Sequence, residues 1–320
     1  MAAFSIEHLS FGEFQLIKLS NTKSGVSLSV IPDLAGLINE YIVSDHNGNL
    51  HSIVDGYESA EELLEKHTQV FKSAKLSPFP NRIKEGTYSF KEDDHQLHVN
   101  FPHERNSIHG LVFDEAFRVE REEEGEDFAH LTLSYDYKGD KPGYPFTYYL
   151  QLDYQLHEVY GLTITTIIKN TGDQPMPLGD GWHPYFRTGN KVDNLEISFP
   201  SDYVYEIDDQ MIPTRKRHAF DDFKRLKQIN NYQFDSCFSL STNNGKAFTR
   251  VEDPQNNIRF TIWQETGRQK YNYLQVYTPP DRKSIAFEPM TCPPDVFNNE
   301  IDLIILAPGE EISLSWGVSS

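Results

Sequence analysis

The chain has 320 residues, and its 29 Lys or Arg against 48 Asp or Glu give a formal net charge of -19 at pH 7. This negative field repels phosphate backbones and anionic lipid surfaces, so nucleic acid and acidic membranes are poor partners. Hydrophobic residues form 38% of the chain and aromatic residues 13%, which is enough for a sizeable core and argues against disorder.

The cysteine content and the amino-terminal segment bear on where the protein works. Cys237 and Cys292 are the two cysteines, too few for a disulfide framework in a chain this long, and they suit a reducing compartment. The segment 1–8 lacks the basic start and long apolar stretch of a secretory signal, and no run approaches a membrane span. We therefore expect a cytoplasmic protein.

Short apolar alternations separated by turn residues predict β-strands from early in the chain. Residues 26–30 and 37–43 show this alternation, and a turn follows at residues 45–49. The pair Asn47-Gly48 in that turn favours a tight connection between two strands.

A single segment gives a clear helix prediction, at residues 59–67. Ser59 and Glu62 there have the spacing of a capping box, and acidic residues fill the first turn. The segment is short and isolated, so we expect at most short helices.

The acidic run at residues 120–127 has two interpretations. It contains one glycine and is most simply a solvated hairpin tip. A carboxylate-rich metal site is the alternative, although the run lacks the ligand alternation of an EF-hand.

The strongest alternation lies in the middle of the chain. Large apolar side chains recur at Leu131, Leu133, Tyr135 and Tyr137, at Tyr148, Leu150, Leu152, Tyr154 and Leu156, and at Tyr160, Leu162, Ile164 and Ile168. Further strands are predicted at residues 195–199, 203–205, 247–251, 258–263, 273–277 and 312–316. With no linker and no repeat, the pattern predicts one all-β domain over residues 1–320, built from two large antiparallel sheets packed face to face.

Residues 179–186 hold a histidine on a stiff segment. Pro184 fixes its own backbone angle and restricts His183 to extended geometry. An imidazole can give or take a proton near neutral pH, and aromatic neighbours such as Trp182 can offer flat apolar faces to a sugar ring. The alternative is a packed, purely structural histidine.

A second stiff segment delivers two polar side chains. Pro78 and Pro80 force an extended path that ends at Asn81 and Arg82. An amide and a guanidinium together suit the binding of hydroxyl groups. The alternative is a surface loop whose arginine pairs with a carboxylate.

Three further residues complete the candidate set. His109 precedes Gly110, a glycine that permits close backbone approach, and Asp235 lies between aromatic residues. Glu288 is expected at the end of an apolar strand that Pro289 stops, which would turn its side chain toward a cleft. A solvated carboxylate is the alternative, but the apolar flank disfavours it because an unpaired buried charge is costly.

These segments resemble the aldose 1-epimerase (galactose mutarotase) family in identity and order. The matching positions are residues 78–83, Gly86, Tyr88, Phe90, His109, Gly110, residues 182–186, Asp235 and residues 287–289. The resemblance implies a large antiparallel β-supersandwich, and an isomerase that interconverts the α and β anomers of a free aldose without cofactor or metal.

The resemblance also implies roles for the candidate residues. His183 would be the general acid and Glu288 the general base. Arg82, His109 and Asp235 would bind sugar hydroxyls, with Asn81 beside them in the substrate-binding set.

Departures from the best-known members leave the sugar preference open. Leu111, Arg187 and Met290 stand where those members carry other residues, as in a less characterised bacterial branch of the family. Two alternatives are a noncatalytic sugar-binding or sensing protein on the same scaffold and a sugar-phosphate mutarotase. The latter would need extra cations, for which Arg187, Arg268 and Lys270 are candidates.

Overall fold

The computed structural model describes residues 3–45, 47–241 and 245–320. Residues 1–2 of the amino-terminal segment and residue 46 of the predicted turn lie outside these ranges. Within the described ranges the chain folds mainly into antiparallel strands, together with two α-helices.

Strands succeed one another along almost the whole of the described chain. The first strands are β1 Phe4–Phe11, β2 Phe14–Asn21, β3 Ser27–Ile31, β4 Leu37–Ser44, β5 Leu50–Ser52, β6 Lys75–Leu76, β7 Arg82–Ile83, β8 Thr87–Phe90, β9 Asp93–Gln96, β10 Ser107–Ile108, β11 Arg118–Glu124, β12 Phe128–Tyr137, β13 Tyr148–His157 and β14 Gly161–Asn170. The later strands are β15 Met176–Leu178, β16 Gly181–Trp182, β17 Tyr185–Phe186, β18 Glu196–Ser198, β19 Ser201–Ile207, β20 Pro213–Ala219, β21 Lys227–Gln228, β22 Asp235–Leu240, β23 Lys246–Asp253, β24 Ile258–Glu265, β25 Tyr273–Tyr277, β26 Ile285–Met290, β27 Ile304–Leu306 and β28 Glu311–Ser319. The helices are α1 Ala60–Val70 and α2 Val296–Asn299.

Most of these strands belong to three large sheets. The first has five strands in the order β1-β2-β3-β4-β5, and the second has nine in the order β11-β12-β13-β14-β28-β24-β23-β18-β21. The third has eight, in the order β20-β19-β22-β25-β26-β16-β6 with β17 also paired to β26. One hydrophobic core takes side chains from all three sheets. The predicted antiparallel β-supersandwich is confirmed, but the expectation of two large sheets was wrong, because β1–β5 form a further large sheet of their own.

The central hairpin shows why the alternation was visible in the sequence. Every second residue of β13, from Tyr148 to Leu156, is buried, and β14 repeats the pattern from Leu162. The inclusion of Tyr160 in this pattern was wrong, because it lies in the turn and is 67% exposed. Its N–H donates to Nδ1 of His157 at 3.4 Å, which helps to hold the turn.

The acidic run forms more strand than predicted. Its first part, up to Glu124, belongs to β11, which pairs with β12, and residues 125–127 make the connection. Charged side chains are tolerated there because β11 is the outermost strand of its sheet.

Helix α1 begins as its sequence predicts. The Ser59 hydroxyl accepts a hydrogen bond from the Glu62 N–H at 3.2 Å, and the Glu62 carboxylate accepts one from the Glu58 N–H at 2.9 Å. The helix ends at Phe71, whose left-handed backbone (φ 51°) directs its N–H to the His67 carbonyl. Among the described residues, no helix is both long and apolar enough to cross a membrane.

A fully buried ion pair joins β6 to the segment before β16. Lys75 Nζ lies 2.5 Å from Asp180 Oδ1 and 3.0 Å from the carbonyl oxygen of Gly181, and neither charged side chain is exposed. The Tyr271 hydroxyl donates to the same carboxylate oxygen at 2.8 Å. The lysine also lies over the Trp182 ring, 5.0 Å from its centroid. Each charge is therefore compensated where water cannot reach it.

Replacing Lys75 by Met is expected to lower the free energy of unfolding by about 3–5 kcal/mol, because it strands the Asp180 carboxylate without its partner. Urea unfolding measures this loss. The control is Lys66→Met at the exposed Lys66–Glu62 pair, where the nitrogen and oxygen are 3.1 Å apart and about 0–1 kcal/mol should be lost. Equal losses in both variants would contradict a special role for the buried pair.

Candidate active site

A cleft of about 440 Å³ brings together all six candidate residues. They come from separate parts of the chain: Asn81 and Arg82 at β7, His109 after β10, His183 between β16 and β17, Asp235 at the start of β22, and Glu288 within β26. All except Arg82 and Asp235 are no more than 5% exposed. The set therefore lies at the inner end of the cleft.

The register of one sheet places His183 opposite Glu288. β16 pairs with β26 through Gly181, and β17 pairs with the same strand through Tyr185. His183 lies midway between these two residues, and the antiparallel register puts Glu288 directly across from it. The His183 Nε2 and Glu288 Oε1 atoms are 3.4 Å apart.

The prediction that the strand stops at Pro289 was wrong. β26 continues to Met290, and Glu288 is buried inside the sheet, not exposed at a strand end. On one side of β26 the partner is not a continuous strand, and Pro289 lies between the pairings of Met290 with Gly181 and of Ala286 with Tyr185. A proline, which has no N–H to donate, is tolerated at such an irregularity of the ladder.

Aromatic rings fix the two cleft histidines. His183 stacks on Tyr185 with centroids 4.8 Å apart, and the Tyr185 hydroxyl donates to the carbonyl of Val70 at 3.2 Å. His109 packs edge-on against His183 at 5.0 Å and lies 4.7 Å from Phe71. The end of α1 therefore supports both imidazole rings.

The backbone at His109 adopts an unusual path. His109 and Gly110 both have positive φ, 63° and 81°. A Cβ at Gly110 would lie 2.3 Å from the carbonyl oxygen of Ser77, so only glycine fits this approach. The His109 N–H donates to the Asn81 carbonyl at 2.7 Å, which links the two candidate segments.

Two further polar residues that were not predicted from the sequence line the cleft beside Arg82 and Asp235. Glu104 pairs with Arg82, and Gln275 donates from Nε2 to Asp235 Oδ1 at 2.9 Å. Gln275 is a polar residue between Leu274 and Val276 in a buried strand, a signal that could have identified it. Glu104 lies in a polar turn and carries no such signal.

Burial shifts the pKa values of His183 and Glu288, the central pair of the cleft, so that the uncharged form of each side chain is favoured. It raises the pKa of Glu288 well above its ordinary value of 4.5, and the nearby Asp235 carboxylate raises it further. It lowers the pKa of His183 from 6.5 to about 3, an effect that the Arg82 charge reinforces. Both shifts favour the form of the pair in which His183 is neutral and the proton stays on the Glu288 carboxyl group.

The neighbouring groups follow the same electrostatic rule. Burial lowers the pKa of His109, and the proximity of the titratable His183 and of the Arg82 charge lowers it further. Burial also raises the pKa of Asp235, although Arg82 opposes that rise. Neutral imidazole is thus favoured at both histidines.

The cations considered for a phosphate group do not converge on this cleft. Arg187 Nη1 lies 3.6 Å from Oδ1 of Asp55, a residue of the cleft wall. Arg268 lines a different groove, and Lys270 pairs with Glu265 at 2.8 Å.

Comparison with known proteins places the chain in a family. The profile described as Aldose 1-epimerase matches residues 15–319, and the chain belongs to that family. Among Escherichia coli (strain K12) proteins, the uncharacterized protein YihR is 28% identical over 249 residues, covering 76% of this chain and 77% of YihR. The uncharacterized protein YphB is 25% identical over 250 residues, covering 73% and 79%.

Solved structures share the fold. A galactose mutarotase-like protein from Clostridium acetobutylicum superposes with a TM-score of 0.85 at 23% identity, covering 99% of this chain and 98% of that one. Galactose 1-epimerase from Lactobacillus acidophilus gives a TM-score of 0.79 at 17% identity, covering 100% and 98%. The galactose mutarotase-like architecture expected from the resemblance is confirmed.

Single replacements of the central pair should give opposite pH dependences of stability. In Glu288→Gln, His183 is the remaining titratable group of the pair. Between pH 4.5 and 6.5 its imidazole binds a proton in the unfolded protein but not in the folded protein. The free energy of unfolding of this variant therefore rises with pH. In His183→Gln, Glu288 remains, and its raised pKa means that the folded state binds the proton more tightly than the unfolded state, so the free energy of unfolding falls as pH rises. A difference of one full proton corresponds to about 1.4 kcal/mol per pH unit, which is the upper limit of each slope.

Urea unfolding across this pH window measures these slopes without any substrate. In the wild-type protein the two contributions have opposite signs and offset each other, because the pKa of His183 is lowered and that of Glu288 is raised. Slopes of the same sign in the two variants would show that the pair does not titrate in this way.

Gly110→Ala should destabilise the protein by about 1–3 kcal/mol more than Gly309→Ala, because it forces an overpacked contact with the Ser77 backbone. Gly309 is the matched control, since its φ is 76° and an added Cβ meets nothing within 4 Å. Both variants share the strain of a positive φ, so the difference isolates the contact. Urea unfolding that finds equal losses would refute it.

Proposed function

We propose that this protein is an aldose 1-epimerase that interconverts the α and β anomers of a neutral free aldose. The observation that carries the proposal is the buried His183–Glu288 pair, 3.4 Å apart at the inner end of a cleft. A hydroxyl-binding set surrounds it. Such a matched donor and acceptor suits general acid–base catalysis.

The proposed reaction begins when the shared proton moves from Glu288 to His183, which gives a carboxylate and an imidazolium. Glu288 then accepts the proton of the C1 hydroxyl while His183 donates a proton to the ring oxygen. The bond between C1 and the ring oxygen breaks, and a free aldehyde forms. Rotation about C1–C2 and closure with both transfers reversed give the other anomer, so protons and electrons balance without a cofactor or metal.

The remaining cleft residues would hold the sugar. Arg82 can donate to hydroxyl oxygens, and Asp235 can accept from hydroxyl groups. The Nδ1 atom of His109 is buried and has no hydrogen-bond partner among the described residues, so a sugar hydroxyl could provide one. Asn81 would act mainly through Arg82, whose Nη1 donates to Asn81 Oδ1 at 2.9 Å.

A neutral sugar fits the cleft better than a sugar phosphate. Among the described residues that line the cleft, the cations Lys66, Lys72 and Arg82 each lie within 3.2 Å of a carboxylate. Each of these positive charges is already offset by its carboxylate, so the cleft offers little net positive charge to a phosphate. A binding or sensing protein is the second candidate, but binding alone gives no reason to bury a matched proton donor and acceptor together.

We further propose that the chain works as one domain in the cytoplasm. The family profile extends from residue 15 to residue 319, and the strands share one core. Cys237 and Cys292 are both buried and free, which suits a reducing compartment.

Glu288→Gln should lower kcat for mutarotation by about 10²–10⁴-fold, because the amide keeps the shape of the side chain but cannot accept the proton. Polarimetry of freshly dissolved α-D-glucose and α-D-galactose measures the rate, and calorimetry should find sugar binding retained. Glu7→Gln, at an exposed position on β1, is the control and should leave the rate unchanged.

Retained activity in Glu288→Gln would refute the assigned base. If wild-type protein binds these sugars but accelerates the mutarotation of neither sugar nor of a wider aldose panel, the binding or sensing function is favoured instead.

A further inference from the structure

One side of the Arg82 guanidinium is occupied by Glu104. Arg82 Nε lies 2.5 Å from Glu104 Oε2, and Nη2 lies 3.0 Å from Oε1. This two-point contact is charge-assisted and fixes the plane of the guanidinium as well as its position. The side chains are 11% and 23% exposed, so solvent only partly screens the pair.

Glu104 is carried by a braced turn. Phe101 and Asn106 form a β-bridge across it, and the Glu104 N–H donates to the Phe101 carbonyl at 3.3 Å. The Asn106 side chain accepts from the Glu85 N–H at 3.1 Å and donates to the Gln210 carbonyl at 2.9 Å. The turn that carries the Glu104 carboxylate is therefore held in place by contacts that do not involve the His183–Glu288 pair.

The pairing leaves a defined set of donors on Arg82. A guanidinium has five N–H groups. One on Nε and one on Nη2 bond Glu104, and one on Nη1 bonds Asn81 Oδ1. One N–H on each terminal nitrogen is left for hydroxyl groups of a sugar.

Glu104 also competes with the cleft carboxylates for the arginine. Asp235 and Glu288 both interact electrostatically with Arg82. Without Glu104, the guanidinium could rotate and pair with Asp235. The Asp235 carboxylate could then no longer accept from a sugar hydroxyl, and two N–H groups of Arg82 could no longer donate to one. Held by Glu104, Arg82 and Asp235 stay separately available to a ligand.

We infer that Glu104 is a positioning residue of the sugar site: it holds the Arg82 guanidinium so that two N–H groups face the sugar, and it prevents collapse onto Asp235. The inference rests on the proposed sugar-binding function of the cleft. It assigns Glu104 a role in substrate affinity and not in proton transfer.

The test is a double-mutant cycle of Glu104→Gln and Arg82→Met. Glu104→Gln should raise KM about tenfold and change kcat less than about threefold, because it weakens binding in the ground state and the transition state alike. In the Arg82→Met background the same change should alter KM less than about twofold, since no guanidinium is left to position. D-galactose and D-glucose are the probes.

Glu85→Gln is the matched control. It removes the charge from the exposed Arg105–Glu85 pair, 3.4 Å apart, and should leave KM unchanged. Thermal unfolding midpoints of all variants check that each is folded.

An unchanged KM in Glu104→Gln overturns the inference. So does an equal rise in KM with and without Arg82, which would mean that Glu104 contacts the sugar on its own. If the wild-type protein shows no mutarotase activity, the proposed reaction fails, and the same cycle measured as Kd by calorimetry decides the role of Glu104. Absence of binding to these two sugars and to every member of the wider aldose panel overturns both proposals.

Discussion

The chemistry of the cleft depends on one register constraint. β16 and β17 pair with β26 on either side of a two-residue interruption, and this places His183 across from Glu288. Loops alone would not hold two titratable side chains so firmly, whereas a sheet sets their spacing through backbone hydrogen bonds. The same sheet excludes water, and the exclusion shifts both pKa values toward neutral forms. Geometry and electrostatics thus have a common origin.

The protein carries an excess of negative charge, and carboxylates in and near the cleft are paired with nearby cations. The Lys75–Asp180 pair lies where the chain enters β16, so a buried charge is neutralised immediately before the histidine segment. In the cleft, Arg82 pairs with Glu104 and also interacts electrostatically with Asp235, which offsets part of the repulsion between the two carboxylates. The net charge of -19 therefore coexists with a site in which burial favours the uncharged forms of His183 and Glu288.

Much of the fold and of the candidate set could be predicted because the relevant signals are local. The alternation in β13 and β14 indicates strands with one buried face. The capping signal of Ser59 and Glu62 spans four residues and indicates the start of a helix. Glu104 could not be predicted, because its significance comes from an arginine 22 positions away that only the folded turn brings near. The strand end at Pro289 was misjudged because proline tolerance depends on the neighbouring strands, which the local sequence does not reveal.

The proton of the His183–Glu288 pair also bears on how the proposed enzyme would regain its starting protonation state after each turnover. Each ring opening moves one proton in and one proton out, and closure repeats the exchange in reverse, so the side chains end in the state in which they began. No step requires a proton from bulk water. Turnover in the cleft would accordingly be independent of buffer concentration, unlike anomer exchange in free solution, where solvent species must carry the protons.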